Sequence, residues 1–279
     1  MRVLRIGVSN TEQAEAVYAL SAIPVFALSG WSFSGLDPVL AEQLPARKPY
    51  GVLVNRMMRE EDLPQLERLL KEFETNLPEC IYCADASVIE LAGETVRKRI
   101  IYRPETLMTN AEDMRFWLDS PIGSVTVSPL LTLDELCAIG EAVPEAEFVI
   151  HGHLMMSVSA RLLINAWQKR RKKTLSKDER IFLRETTRRE WFPIRETAQG
   201  TMIFTDYVLD SFDAIGLLTA HGASQFYIDG SFLSTEELIE AAEIYRSLLE
   251  GNTETERIAD YRRRHPECSE GYYGQETIL

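Results

Sequence analysis

Short runs of β-branched and aromatic residues recur along the chain, separated by stretches in which apolar residues stand three and four apart. The first pattern fits strands, and the second fits amphipathic helices that lay one face on a sheet. Strands are expected at Leu4–Val8, Pro24–Leu28, Gly51–Asn55, Cys80–Ala84, Arg99–Tyr102, Ser124–Ser128, Glu147–Ile150 and Gln225–Ile228. Helices are expected at Thr11–Ala22, Leu63–Thr75, Ala86–Ala92, Thr109–Leu118, Leu133–Ala142 and Thr235–Leu249. Two of the helix starts are marked: Ser234-Thr235-Glu236-Glu237 and Thr132-Leu133-Asp134-Glu135 place a hydroxyl at the cap and an acid in the first turn. Strand–helix alternation marks βα units on a parallel sheet, and eight strands are what a closed barrel requires. The expected fold is an α/β, TIM-type β/α barrel, a single domain over residues 1–279. The spacing breaks once, between His151 and Gln225. A helix is expected there from about Val158, then a charged segment, then strands Phe192–Arg195 and Thr201–Thr205 around the turn Ala198-Gln199-Gly200. This stretch reads as a charged insertion over residues 165–205, after the seventh strand.

Composition adds little to that picture, since 45% hydrophobic and 26% charged residues describe an ordinary globular chain. The apolar run in Met1–Val8 is too short for a secretory signal, and no stretch is long enough to cross a bilayer, so a cytoplasmic protein is expected. Charge changes the picture more. A net charge of −13 works against nucleic-acid binding over the whole surface, so any contact with RNA must be local. Between Lys169 and Glu190 stand ten basic residues against four acidic ones: Lys169, Arg170, Arg171, Lys172, Lys173, Lys177, Arg180, Arg184, Arg188 and Arg189 against Asp178, Glu179, Glu185 and Glu190. Such an island is either a solvated helix face or a contact for phosphate or for an acidic partner chain.

In a β/α barrel the chemistry lies at the C-terminal strand ends. The residues there are polar: Asn55, Asp85, Arg103 with Glu105, Ser128, His151 with His153, and Asp229. Several of these types also serve as caps and turn formers. His151-Gly152-His153 is the densest cluster, but no third ligand for a metal is evident, so no metal site is assigned. Cys80 and Cys83, three apart on a strand, point to opposite faces and cannot share one ion. With Cys137 and Cys268 they are too few and too scattered for a disulfide framework. The common hydrolase and nucleotide-binding motifs are absent.

Four segments carry a resemblance. Glu147-Phe148-Val149-Ile150-His151-Gly152-His153-Leu154-Met155-Met156-Ser157-Val158-Ser159-Ala160-Arg161 resembles the signature of the peptidase U32 (collagenase-like protease) family. Thr109-Asn110-Ala111-Glu112-Asp113-Met114-Arg115-Phe116-Trp117 is similar to the family's Thr-Asn helix start, and Phe226-Tyr227-Ile228-Asp229-Gly230 to one of its strands. The ending Glu270-Gly271-Tyr272-Tyr273-Gly274-Gln275-Glu276-Thr277 is similar to the short, one-domain Gram-positive branch.

The resemblance implies either a collagenase-like protease or oxygen-independent hydroxylation by a cysteine-bound iron–sulfur cluster. For the short branch it implies hydroxylation of the tRNA wobble uridine beside a longer paralogue, with prephenate as hydroxyl source. The family's cysteine positions fall on Met155 and Leu162, Pro129-Leu130 replaces an Arg-Glu pair, and Ser231 replaces a basic residue. Thiolate holds such clusters and neither methionine nor leucine replaces it, so no iron–sulfur cluster or other cofactor is expected.

Three readings follow. The first is an accessory, non-catalytic subunit of the tRNA hydroxylation system, working with the longer paralogue and contacting it or tRNA through Lys169, Arg170, Arg171, Lys172 and Lys173. The second is a hydrolase using His151, His153, Glu105 and Asp229 as catalytic residues. The third is a barrel that binds a small anion between Arg103 and Arg161. In each, Asn55, Asp85, Arg103, Asn110, Ser128 and Arg161 are the candidate substrate contacts, and self-association is compatible with all three.

Overall fold

The computed structural model describes residues 2–175, 180–187 and 189–275. Its first half alternates strands β1 (Val3–Val8), β2 (Ile23–Ala27), β3 (Gly51–Leu53), β4 (Cys80–Cys83), β5 (Ile100–Tyr102), β6 (Ser124–Val125) and β7 (Glu147–Gly152) with helices. These are α1 (Thr11–Ala19), α2 (Leu63–Thr75), α3 (Ala86–Leu91), α4 (Glu94–Arg97), α5 (Ala111–Leu118) and α6 (Leu133–Ala142). There follow β8 (Met155–Ser159), α7 (Leu163–Arg171), β9 (Ile181–Leu183), β10 (Phe192–Thr197) and β11 (Gly200–Phe204). The chain then runs through β12 (Val208–Asp210), α8 (Ile215–Ala220), β13 (Gln225–Ile228), α9 (Thr235–Leu249), α10 (Thr255–Arg264) and β14 (Cys268–Ser269).

Strands β7, β13, β1, β2, β3, β4, β5 and β6 are hydrogen-bonded in that order, each parallel to its neighbour. A parallel bridge between Thr126 and Glu147 joins the end of β6 back to β7, with the Val127 amide donating to the Glu147 carbonyl at 2.9 Å. Eight parallel strands therefore close into the β/α barrel that the pattern predicts, and all eight fall where it places them. The central strands are buried on both faces, so they read as apolar runs such as Ile81-Tyr82 and Val25-Phe26. Helix starts are fixed by side chains: Asn10, Asp85, Asn110, Thr132 and Ser234 each accept an amide hydrogen from the first turn that follows.

The insertion is larger than the charge pattern implies, and it begins earlier. Met155–Ser159 is a strand where a helix from about Val158 is expected, and the helix starts only at Leu163. The reason is tertiary pairing: β8 hydrogen-bonds antiparallel to β11, and that ladder overrides what its own residue types prefer. The hairpin at Ala198-Gln199 joins β10 to β11, and the four strands form a second sheet in the order β8-β11-β10-β9. A small cluster of Phe33, Met202 and Phe204, with Met155 and Phe232 against it, seats this sheet on the barrel. Arg195 adds an ion pair to Asp37 at 2.7 Å. Lys177, Asp178, Glu179 and Arg188 of the basic island, and Glu276-Thr277 of the C-terminal motif, lie outside the described residues. No helix among the described residues is long and apolar enough to cross a membrane.

Candidate functional site

The barrel interior carries a polar column. At its base Arg5 of β1 donates to Glu147 at 2.7 Å and to Gln225 at 2.9 Å. Glu147 is fully buried and also accepts from the Tyr82 hydroxyl at 2.7 Å and from Thr126 at 3.2 Å. A buried carboxylate persists only when paired and hydrogen-bonded in this way. Above it the rings of Tyr82 and Tyr227 lie 5.2 Å apart, and the Arg103 guanidinium sits 4.5 Å over Tyr227.

Arg103 forms the top of the column. Its Nε is 3.4 Å from Glu105 and its Nη2 is 3.5 Å from Asp229. These are loose contacts for a guanidinium, which donates at about 2.7–2.9 Å when an ion pair is tight. Burial raises the Glu105 carboxyl above its ordinary range; Arg103 opposes that effect and the Asp229 charge adds to it. Glu105 also sits in the left-handed backbone region at φ 56°, a conformation that costs a non-glycine residue roughly 1–3 kcal/mol. Asp229 is anchored by the Ser231 amide at 2.9 Å, and Asn55 accepts from Ser32 and Phe33, each at 3.0 Å.

Two cavities open at this end. One of about 520 Å³ reaches Arg103, Glu105, Thr126 and Tyr207; the other, of about 360 Å³, reaches Asn55, Asp85, Tyr102 and Glu105. Glu105, Thr106, Met155 and Met156 line both, so the two methionines of β8 divide the barrel mouth.

The expected site residues therefore separate into groups. Arg103, Glu105, Asp229 and Asn55 gather at the mouth, and Asp85 joins the second cavity while capping α3. His151 does not join them. The register between β7 and β13 slips by one residue, pairing Val149 with Tyr227 but His151 with Ile228. That extra residue turns His151 away from the barrel axis and into the helix layer. There its Nε2 is 3.2 Å from the Tyr261 hydroxyl, and its ring packs on Phe212 and Tyr245. Burial, with the nearby His153 and His265, lowers its pKa to about 3, so it is neutral. His153 holds the Thr205 carbonyl through Nδ1 at 2.8 Å and lines a separate small cavity.

Asn110 is an exposed cap and Ser128 is buried beneath the mouth. Arg161 is exposed just before α7 and lines neither mouth cavity, so it does not face Arg103 across a shared anion site. Lys169, Arg170, Arg171, Lys172 and Lys173 are all exposed at the end of α7. Sequence reasoning missed Arg5, Tyr82, Glu147 and Tyr227. The available signal was one charged residue in each of two otherwise apolar strands, Arg5 within Val3–Val8 and Glu147 at the start of β7.

A cysteine-bound cluster does not fit these residues. Met155 lines the mouth and Leu162 is exposed on the insertion, and neither offers a thiolate. Cys80, Cys83 and Cys137 are buried and Cys268 is half-buried. Burial raises all four thiols, Cys80 and Cys268 to about 12, and among the described residues no three of the cysteines gather around a common point.

The chain is similar to several known proteins. The tRNA hydroxylation protein P2 of Bacillus subtilis (strain 168) is 25% identical over 213 residues, covering 70% of this chain and 69% of its own. Among solved structures, the U32 peptidase Mk0906 aligns over 82% of this chain and 92% of its own, with 11% identity and a TM-score of 0.47. Phosphoribosyl anthranilate isomerase from Thermococcus kodakaraensis aligns over 88% of this chain and 99% of its own, with 11% identity and a TM-score of 0.44. Residues 40–277 match the sequence profile of peptidase family U32, a span that takes in the polar column from Tyr82 to Asp229 and all four segments of the resemblance, and the chain belongs to that family.

Proposed function

We propose that this chain is an accessory subunit in tRNA wobble-uridine hydroxylation, acting beside a longer family member that carries the iron–sulfur cluster. The observation that carries the reading is the combination at the mouth: a family barrel with Arg103 set between Glu105 and Asp229, but Met155 and Leu162 where the family's thiolate ligands would stand. Its similarity to a tRNA hydroxylation protein supports the choice of pathway. The protease reading has less support. His151 faces the helix layer and His153 a separate cavity, so neither histidine is placed to serve as base for a nucleophile at the mouth.

Nucleoside mass spectrometry tests this reading in a strain where no other enzyme makes the modification. Deleting the gene is expected to abolish hydroxylated wobble uridine, and the chain is expected to co-purify with the longer paralogue while itself taking up no iron–sulfur cluster on anaerobic reconstitution. Unchanged modification after deletion would reject the proposal.

A further inference from the structure

Away from the mouth, three potential ligands meet where α9, α10 and β14 come together. Glu237 stands in the first turn of α9, His265 caps the end of α10, and Glu267 precedes β14. One donor atom from each falls within 4.8 Å of the other two. His265 Nδ1 is 3.4 Å from a Glu237 oxygen and 3.5 Å from a Glu267 oxygen. Both separations are long for a charge-assisted hydrogen bond, which closes to about 2.7–2.9 Å. They are close to the donor–donor edge of a tetrahedral site, roughly 3.3 Å when the metal bonds are about 2.0–2.1 Å.

Two further features are those of a built site. The Glu237 carboxylate accepts the Ser234 amide at 2.6 Å in a capping box, so its orientation is fixed by a hydrogen bond of its own. His153 lines the same cavity of about 80 Å³ as Glu237 and Glu267. Because a carbonyl only accepts, the 2.8 Å contact from His153 Nδ1 to Thr205 puts a proton on Nδ1.

We propose that Glu237, His265 and Glu267 form a binding site for a divalent transition-metal ion, with water as fourth ligand. Imidazole with carboxylates suits zinc and its first-row neighbours rather than calcium or magnesium. The ion ties the start of α9 to the α10–β14 junction, which is held to β12 by the Val208 amide donating to the Glu267 carbonyl at 3.0 Å. Arg180 lines the cavity as well, and its charge acts on Glu237, so it is a cation that would compete with the metal.

The test uses metal-stripped full-length protein with zinc and with cobalt as probes. One zinc per chain should survive gel filtration, and saturating zinc should raise Tm by roughly 5 °C. Cobalt should give the visible bands of a four-coordinate nitrogen–oxygen site, without a thiolate charge-transfer band. His265→Gln and Glu267→Gln should each lose the zinc and the Tm shift, and Arg180→Ala should bind zinc several-fold more tightly. Glu267 is exposed, so Glu267→Gln keeps the test valid if the variant at the half-buried His265 does not fold. No zinc retained by the parent, equal retention by Glu267→Gln, or a strong thiolate band that moves the metal to a cysteine would each overturn the proposal.

Discussion

At the scale of single residues, His151 separates what a motif implies from what a fold does with it. In sequence it is half of His151-Gly152-His153, the densest cluster of potential ligands, yet it is fully buried among Phe212, Tyr245 and Tyr261. Nothing in the residue types foretells this, because the one-residue slip against β13 that turns the side chain outward depends on a partner strand over seventy residues away. Arg103, Glu105, Asp229 and Asn55 were legible, since strand ends in a closed barrel meet by geometry alone. His151 also makes stability depend on pH. Folded, it stays neutral down to about pH 3; unfolded, it takes a proton below its ordinary value near 6.5. Between those values the unfolded chain binds more protons, so this stabilisation is complete above pH 6.5 and is lost as pH falls. The expected slope from this residue approaches about 1.4 kcal/mol per pH unit. Urea unfolding of the parent and of His151→Phe between pH 4 and 7 reads it: the variant should lose less stability on acidification, and parallel curves would contradict the assignment.

At the scale of elements, the strands were more legible than their connections. Each barrel strand is short, apolar and bounded by turn residues, whereas β8 is an exposed strand that exists only because β11 pairs with it. The charged segment drew attention to its own composition and so hid the strand before it. The same neighbourhood holds a tight element contact. Gly152 ends β7 at φ 115°, and a Cβ there would stand 2.2 Å from the Asp229 backbone oxygen. Glycine is required on both counts. Gly152→Ala should therefore destabilise the fold by roughly 3 kcal/mol, strain and overpacking together. It should also displace Asp229 from Arg103. A denaturation midpoint within error of the parent would show that β7 and the Asp229 turn can move apart freely.

At the scale of the whole molecule, charge is unevenly spread. The chain carries −13 overall, while the end of α7 presents Lys169 to Lys173 as five consecutive exposed cations. Exposed aromatic residues accompany them: Trp167 lies on the same helix, and Trp191 lies under the Arg184 guanidinium at 4.7 Å. Cations with stacking surfaces suit a nucleic-acid strand better than cations alone. Reversing Arg170, Arg171 and Lys172 to glutamate is expected to abolish tRNA binding without changing the circular dichroism spectrum. In the parent, binding should weaken steeply with salt, by about one unit of logarithmic slope for each phosphate engaged. Equal binding by the triple variant at low salt would leave α7 a solvated face.

The closure of the barrel has a mechanical consequence. Seven of its eight seams are ladders of paired residues, but the eighth, between β6 and β7, is the single bridge at Thr126 and Glu147. Glu147 is also where Arg5, Tyr82 and Thr126 converge from β1, β4 and the end of β6. One carboxylate thus works as a clasp across the weakest join of the ring. If the cylinder breathes, it parts there first, and the base of the polar column comes undone in the same movement.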